Sequence, residues 1–164
     1  MQSGIAAIQL CSTESVSENL IQVEHHIQQA VEQGAGLVIL PEMFACIADN
    51  SLTLAIQEPF QNGPIQSALA KMARQHQVWI VAGTLPIASE DPNRYTASCL
   101  LFNDQGEIVC RYDKIHLFDA FIDEGECYQE SDSTVAGNTI VTADTPWGKL
   151  GLGVCYDLRF PELF

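Results

Sequence analysis

Basic residues are scarce in this sequence. Its 164 residues include 7 Lys and Arg against 21 Asp and Glu, a formal net charge of −14, and such a surface repels phosphate backbones and anionic lipid headgroups. The expected partners therefore include no nucleic acid and no membrane. Long apolar runs are also missing: the strongest, Gly36 to Leu40 and Val78 to Gly83, fall far short of the roughly 20 residues that span a bilayer. The opening MQSGIAAIQLC has no basic stretch ahead of its short apolar segment. It reads as a first strand and not as a secretory signal, so the cytoplasm is the expected compartment. No CxxC, HxxxH or HExxH spacing occurs, which leaves a zinc site without a pattern to support it.

What is present is a chain that folds. Apolar residues make up 47% and charged residues only 17%, outside the range of disordered sequences. A chain of this length builds one core and not two, so residues 1–164 are one domain or part of one. The six cysteines, Cys11, Cys46, Cys99, Cys110, Cys127 and Cys155, are expected reduced in the cytoplasm, without disulfides, and mostly as small core residues.

Periodicity gives the order of elements. Gly4 to Cys11 reads as a strand. Ser17 is placed to cap a helix whose stripe runs through Leu20, Val23, Ile27 and Ala30 until Gly34 and Gly36 stop it. The continuous run GLVIL, closed by Pro41, reads as a strand buried on both faces. Met43 to Gly63 reads as a loop with a helical turn, and Pro64 opens the next helix at a position proline tolerates. VWIVAGT is a strand, and Leu85 to Arg94 a surface connection. YTASCLLF and EIVCRYDK form a hairpin around Asn103 to Gly106. The acidic stretch from Ile115 to Asn138 has no period. Two strands then flank Thr145 to Gly148, the second running into Cys155, and Pro161 is placed to start a further helix. Alternating strands and helices followed by hairpins indicate an α/β sheet of mixed direction.

Three side chains sit at the carboxyl ends of expected strands, where open α/β sheets place their sites. Cys155, on a strand-to-helix turn, is either a nucleophile for acyl transfer or one more buried cysteine. Glu42 is either a general base or a solvent-facing strand end. Lys114 is either an oxyanion-stabilising cation or an exposed lysine closing a hairpin. Glu130 is most simply a solvated carboxylate. His116 is the nearest alternative base for a Cys-His pair, and reads better as a hydrogen-bonding structural residue.

Three segments together resemble the nitrilase superfamily: LPEMF around Glu42, YDKIHLFD around Lys114 and GLGVCYDLRFPELF around Cys155, in that order and 72 and 41 residues apart. KIHLFD, QESDST and CYDLRFPE look most like the branch of deaminated glutathione amidase and omega-amidase. The similarity covers the whole chain and implies a carbon-nitrogen hydrolase domain over 1–164, with an α/β fold of the αββα sandwich type. It further implies that Cys155 is the nucleophile and Glu42 the base. Lys114 and the Tyr156 backbone N–H are then the oxyanion donors, and Glu130 helps position Lys114 or the substrate amide. Arg159 would organise the turn through a carboxylate partner. A small-molecule amide is the implied substrate, with no metal or organic cofactor, and the complete protein is implied to be a homodimer or larger.

Family members continue well beyond their cysteine, whereas this chain ends nine residues after Cys155. The expected sandwich is therefore C-terminally incomplete. A thiol amidase is the first expectation; a catalytically inactive remnant, at most a binding or interaction module, is the alternative. In the first case a site thiolate at Cys155 should react faster near neutral pH than the other five cysteines.

Overall fold

The computed structural model describes residues 4–123 and 126–164. Its first strand, β1 (Gly4–Ala7), is shorter than the alternation implied. Helix α1 (Val16–Glu32) starts earlier than expected because Ser15, and not Ser17, is its cap. The Ser15 backbone is extended and its Oγ accepts the Glu18 N–H at 3.4 Å, satisfying one of the orphan donors of the first turn. The buried stripe is Asn19, Val23, Ile27 and Ala30. Gly34, at φ +92°, turns the chain out of the helix and into β2 (Ala35–Ile39), a conformation that glycine adopts without steric cost.

A short helix, α2 (Asn50–Ala55), precedes α3 (Pro64–His76), which has Pro64 in its first turn as expected. The α3 cap residue, Gly63, has no side chain to offer. Buried Glu58 supplies the missing acceptor, taking the Ile65 N–H at 2.5 Å and the Gln66 N–H at 3.1 Å. A Cβ on Gly63 would lie 2.2 Å from Glu58 Cδ, so this approach requires glycine.

Strand β3 (Trp79–Ala88) continues through Leu85 to Ala88, where a surface connection was expected. The Glu58 segment pairs along its other edge: the Pro86 carbonyl accepts the Glu58 N–H, and the Glu58 carbonyl accepts the Ala88 N–H. A proline therefore sits inside a paired strand without orphaning a partner, since only its carbonyl is needed there. The hairpin of β4 (Tyr95–Phe102) and β5 (Ile108–Asp113) forms where the sequence places it. The sheet order is β1-β2-β3-β4-β5, parallel through β3 and antiparallel from β3 to β5.

Within the acidic stretch, β6 (Asp119–Asp123) and β7 (Glu126–Gln129) form a ribbon that no sequence period announced. Residues 124 and 125 of that stretch lie outside the described residues. A second ribbon, β8 (Thr142–Thr145) with β9 (Gly148–Gly151), follows as expected. After Cys155 and after Pro161 the chain forms 3-10 turns, Cys155–Arg159 and Pro161–Leu163, in place of the expected helix.

Helices α1 and α3 cover one face of the sheet, burying Val23, Ile27 and Leu69 against Val38, Ile80 and Leu100. On the opposite face, Leu37, Val81, Leu101 and Tyr112 pack against Ala143, Leu152 and Val154 from the β8–β9 ribbon and the segment after it. One α layer and one β layer of the expected αββα arrangement are thus formed by the described residues. Among them no helix is long and apolar enough to cross a membrane. The cysteines correct the expectation of core residues: Cys46 and Cys99 are buried, Cys110 is intermediate, and Cys11, Cys127 and Cys155 are exposed.

Candidate active site

The fold brings four residues to one end of the sheet. Glu42 lies just past β2, Lys114 directly follows β5, Cys155 lies just past β9, and Glu130 opens the 3-10 turn after β7. The Lys114 Nζ donates to Glu42 Oε1 at 3.0 Å and to the two Glu130 oxygens at 3.0 and 2.9 Å. Its side chain is 3% exposed. Burial works against its charge, but the hydrogen bonds and charges of Glu130 and Glu42 outweigh it and raise the Lys114 pKa above that of an ordinary lysine. Glu130 is itself fixed by the Phe118 N–H, which donates to Oε2 at 2.6 Å.

Backbone contacts hold each of these residues in place. The Lys114 N–H donates to the Ala97 carbonyl, and the Lys114 carbonyl accepts the Gly137 N–H at 2.9 Å. A Cβ on Gly137 would lie 2.1 Å from the Asp113 carbonyl oxygen. The loop after Glu42 is tied to the start of α1 by buried Asn19, whose amide donates to the Ala45 carbonyl at 2.9 Å and the Thr13 carbonyl at 2.7 Å. Two non-glycine residues at the site have positive φ: Met43 at 55°, next to Glu42, and Cys155 at 47°. Such strain costs about 1–3 kcal/mol per residue and persists only where the surroundings enforce it.

The Cys155 thiol faces this cluster. Burial, then the charge and hydrogen bonding of Glu42, push its pKa up; Glu130 adds to the rise and Lys114 opposes it. The raised pKa favours a thiol beside the Glu42 carboxylate, the arrangement in which an adjacent base takes the proton on attack. The Tyr156 N–H, on the same turn, donates to no group among the described residues.

Arg159 does not organise this turn. It is exposed and has no ion-pair partner among the described residues. The organiser is Asp157, a fully buried carboxylate that the sequence reading passed over. Asp157 Oδ2 accepts the Val154 N–H at 2.9 Å and the Tyr112 hydroxyl at 2.6 Å, and Oδ1 accepts the His116 N–H at 3.0 Å. The available signal was its spacing: an acid three residues after the cap residue is placed to reach back to the cap N–H, as in a capping box. His116 has the structural, hydrogen-bonding role expected of it, with Nδ1 2.7 Å from Asp157 Oδ1 and its ring stacked 3.7 Å from Phe160.

A cavity of about 40 Å³ lies against Glu42, Glu130, Thr84 and Tyr95. A wider hollow of about 780 Å³ beside Arg94, Arg111 and Asn138 contains none of the four clustered residues. Among the described residues no three His, Cys, Asp or Glu side chains gather as a metal site. The chemistry open to the cluster is that of a cysteine with an adjacent carboxylate and a buried cation, which suits acyl transfer.

Known proteins are similar to this chain in sequence and fold. The chain is 44% identical over 164 residues to a deaminated glutathione amidase of Yersinia enterocolitica, a match covering 99% of the chain and 57% of that protein. It is 33% identical over 159 residues to omega-amidase NIT2 of Mus musculus, covering 97% and 56%. The crystal structure of Saccharomyces cerevisiae Nit3, a member of branch 10 of the nitrilase superfamily, matches with a TM-score of 0.82 at 27% identity, over 97% of this chain and 57% of that one. The chain thus spans little more than half the length of these relatives. Residues 4–164 match the family Carbon-nitrogen hydrolase, and with that match across nearly all its length the chain belongs to the carbon-nitrogen hydrolase family.

Proposed function

We propose that the whole protein is a cytoplasmic thiol amidase that cuts the C–N bond of a small linear amide through a thioester on Cys155. The observation that carries this reading is the Lys114 ammonium, bonded to both Glu42 and Glu130 next to a thiol kept protonated beside Glu42. Glu42 takes the thiol proton as sulfur attacks the amide carbonyl, and the electron pair of the C=O moves to oxygen. Lys114 Nζ and the Tyr156 N–H receive that oxyanion. Collapse breaks the C–N bond as Glu42 returns the proton to nitrogen, and ammonia leaves. Glu42 then deprotonates a water that adds to the thioester, and a second collapse releases the acid and restores the thiol. Glu130 keeps Lys114 charged and in position throughout.

The substrate class in this reading is an amide that also carries a carboxylate, either deaminated glutathione or the ω-amide of a keto or dicarboxylic acid. Support for it comes from the names of the two amidase relatives. Self-association into a homodimer or larger belongs to the same proposal. An inactive binding remnant has no use for a buried lysine held between two carboxylates, and nothing on the site favours it. The test is ammonia release from a panel that includes deaminated glutathione and α-ketoglutaramate, beside a Cys155→Ala control. Release that disappears in the control is the expected result; equal release by both proteins overturns the reading.

A further inference from the structure

Asp157 accepts four contacts while fully buried, and their distribution is informative. Each carboxylate oxygen holds one backbone N–H: Oδ2 that of Val154, in the segment leading to Cys155, and Oδ1 that of His116, in the segment following Lys114. The Tyr112 hydroxyl, which donates to Oδ2, also accepts the Ile115 N–H at 3.3 Å. The His116 ring, at 2.7 Å from Oδ1, stacks on Phe160 just past the end of the cysteine turn. Residues 112, 115 and 116, on both sides of Lys114, are thereby joined to residues 154, 157 and 160, on both sides of Cys155.

An asparagine cannot reproduce this. Its amide has one acceptor oxygen and one donor nitrogen, so whichever way it is turned, an NH2 group meets either the Val154 or the His116 N–H. Only an ionised carboxylate satisfies both, and an unsatisfied buried donor is costly.

We infer that Asp157 is a positioning residue for the amidase proposed above: it fastens the Lys114 segment to the Cys155 turn and keeps the strained cysteine backbone in register with the lysine ammonium. The inference rests on that functional reading for its consequence in turnover. Asp157 itself touches no reacting atom. Its effect on chemistry passes through the placement of Cys155 Sγ relative to Glu42 and Lys114.

The experiment compares Asp157→Asn with wild type and with Glu58→Gln, which removes a buried carboxylate at the α3 cap, outside the site. Two quantities are read: the pH midpoint for alkylation of Cys155 by iodoacetamide, followed on its own peptide, and kcat and KM for ammonia release. Asp157→Asn should lower the midpoint toward that of a free cysteine, because the thiol leaves its place beside Glu42. It should also reduce kcat by about 10- to 100-fold, the scale of small misplacements at a reacting centre, with little change in KM. Glu58→Gln should change neither. An unchanged midpoint and kcat in folded Asp157→Asn overturns the inference. Should that variant fail to fold, Tyr112→Phe removes one of the four contacts: a smaller downward shift supports the inference and an unchanged midpoint contradicts it. Absence of ammonia release by wild type on every amide would count against the amidase reading alone, while the alkylation midpoints would still decide the positioning role.

Discussion

Lys114 Nζ lies 3.0 Å from Glu42 Oε1 across 72 residues of sequence, and Glu130 closes its other side at 2.9 Å. One cation shared by two carboxylates leaves the cluster with a negative balance. Partial burial of the neighbouring Cys155 thiol, with that balance added, raises its pKa above the ordinary value.

The thiol titration should follow these signs. Glu42→Gln removes a charge and an acceptor that raise the Cys155 pKa, so the alkylation midpoint should fall. Lys114→Met removes the one group that lowers it, so the midpoint should rise above the wild-type value. Shifts in the opposite directions, or none, would show that the cluster does not set the thiol.

Lys114→Met should also destabilise the fold by about 3 kcal/mol, the cost of breaking a buried ion pair from one side. Because the lysine pKa is raised in the folded state, its contribution is complete below the unfolded value near 10.4 and is lost as pH rises through the higher folded value. Urea unfolding should show a constant gap between wild type and variant near neutrality, narrowing only in strongly alkaline solution. A gap that already narrows near pH ~8 would contradict the assignment, since an unperturbed lysine is still charged there.

Glu42, Lys114 and Cys155 were legible because each follows an apolar run that the strand signal marks, and a strand end fixes where a side chain goes. The structural part of His116 was legible for a related reason, since it sits beside Lys114 in the same segment. Asp157 was legible only as an acid spaced to cap its own turn; its burial was not, because its partners Tyr112 and His116 come from another segment. The far end of β3 was hidden by Pro86, whose turn signal is overridden by pairing to Glu58. The β6–β7 ribbon was hidden because most of its residues lack the alternation of a half-buried strand: Phe121, at 83% exposed, faces solvent where a core position would be expected.

Acid should act through Asp157. Burial opposes ionisation of this carboxyl, but the hydrogen bonds from Tyr112, Val154 and His116 outweigh it and hold its pKa below the ordinary range. Its stabilisation is therefore present above the unfolded value near 3.9 and lost as pH falls through the lower folded value. Tyr112→Phe removes one of those bonds. It should cost about 1.5–3 kcal/mol, the range for a hydrogen bond to a charged group, and move the acid unfolding midpoint to higher pH. An unmoved midpoint in circular dichroism would contradict this role.

Gly137→Ala should displace Lys114 from a distance. The new methyl would meet the Asp113 carbonyl at 2.1 Å, so the strand end carrying Lys114 must shift. A stability loss of about 1–3 kcal/mol is expected, as for other overpacked sites, together with slower ammonia release. Gly148→Ala adds a methyl with nothing within 4 Å, and at φ +110° it should destabilise through backbone strain while leaving the rate of the folded protein unchanged. Equal effects of the two on that rate would argue against a steric path to Lys114.

The central claim, a covalent intermediate on Cys155, is tested most directly by mass spectrometry of protein quenched in acid during turnover of an active amide. The account predicts an acyl adduct confined to the Cys155 peptide, removed by hydroxylamine and absent in Cys155→Ala. Steady ammonia release with an adduct on another residue, or undiminished release by Cys155→Ala, would contradict it.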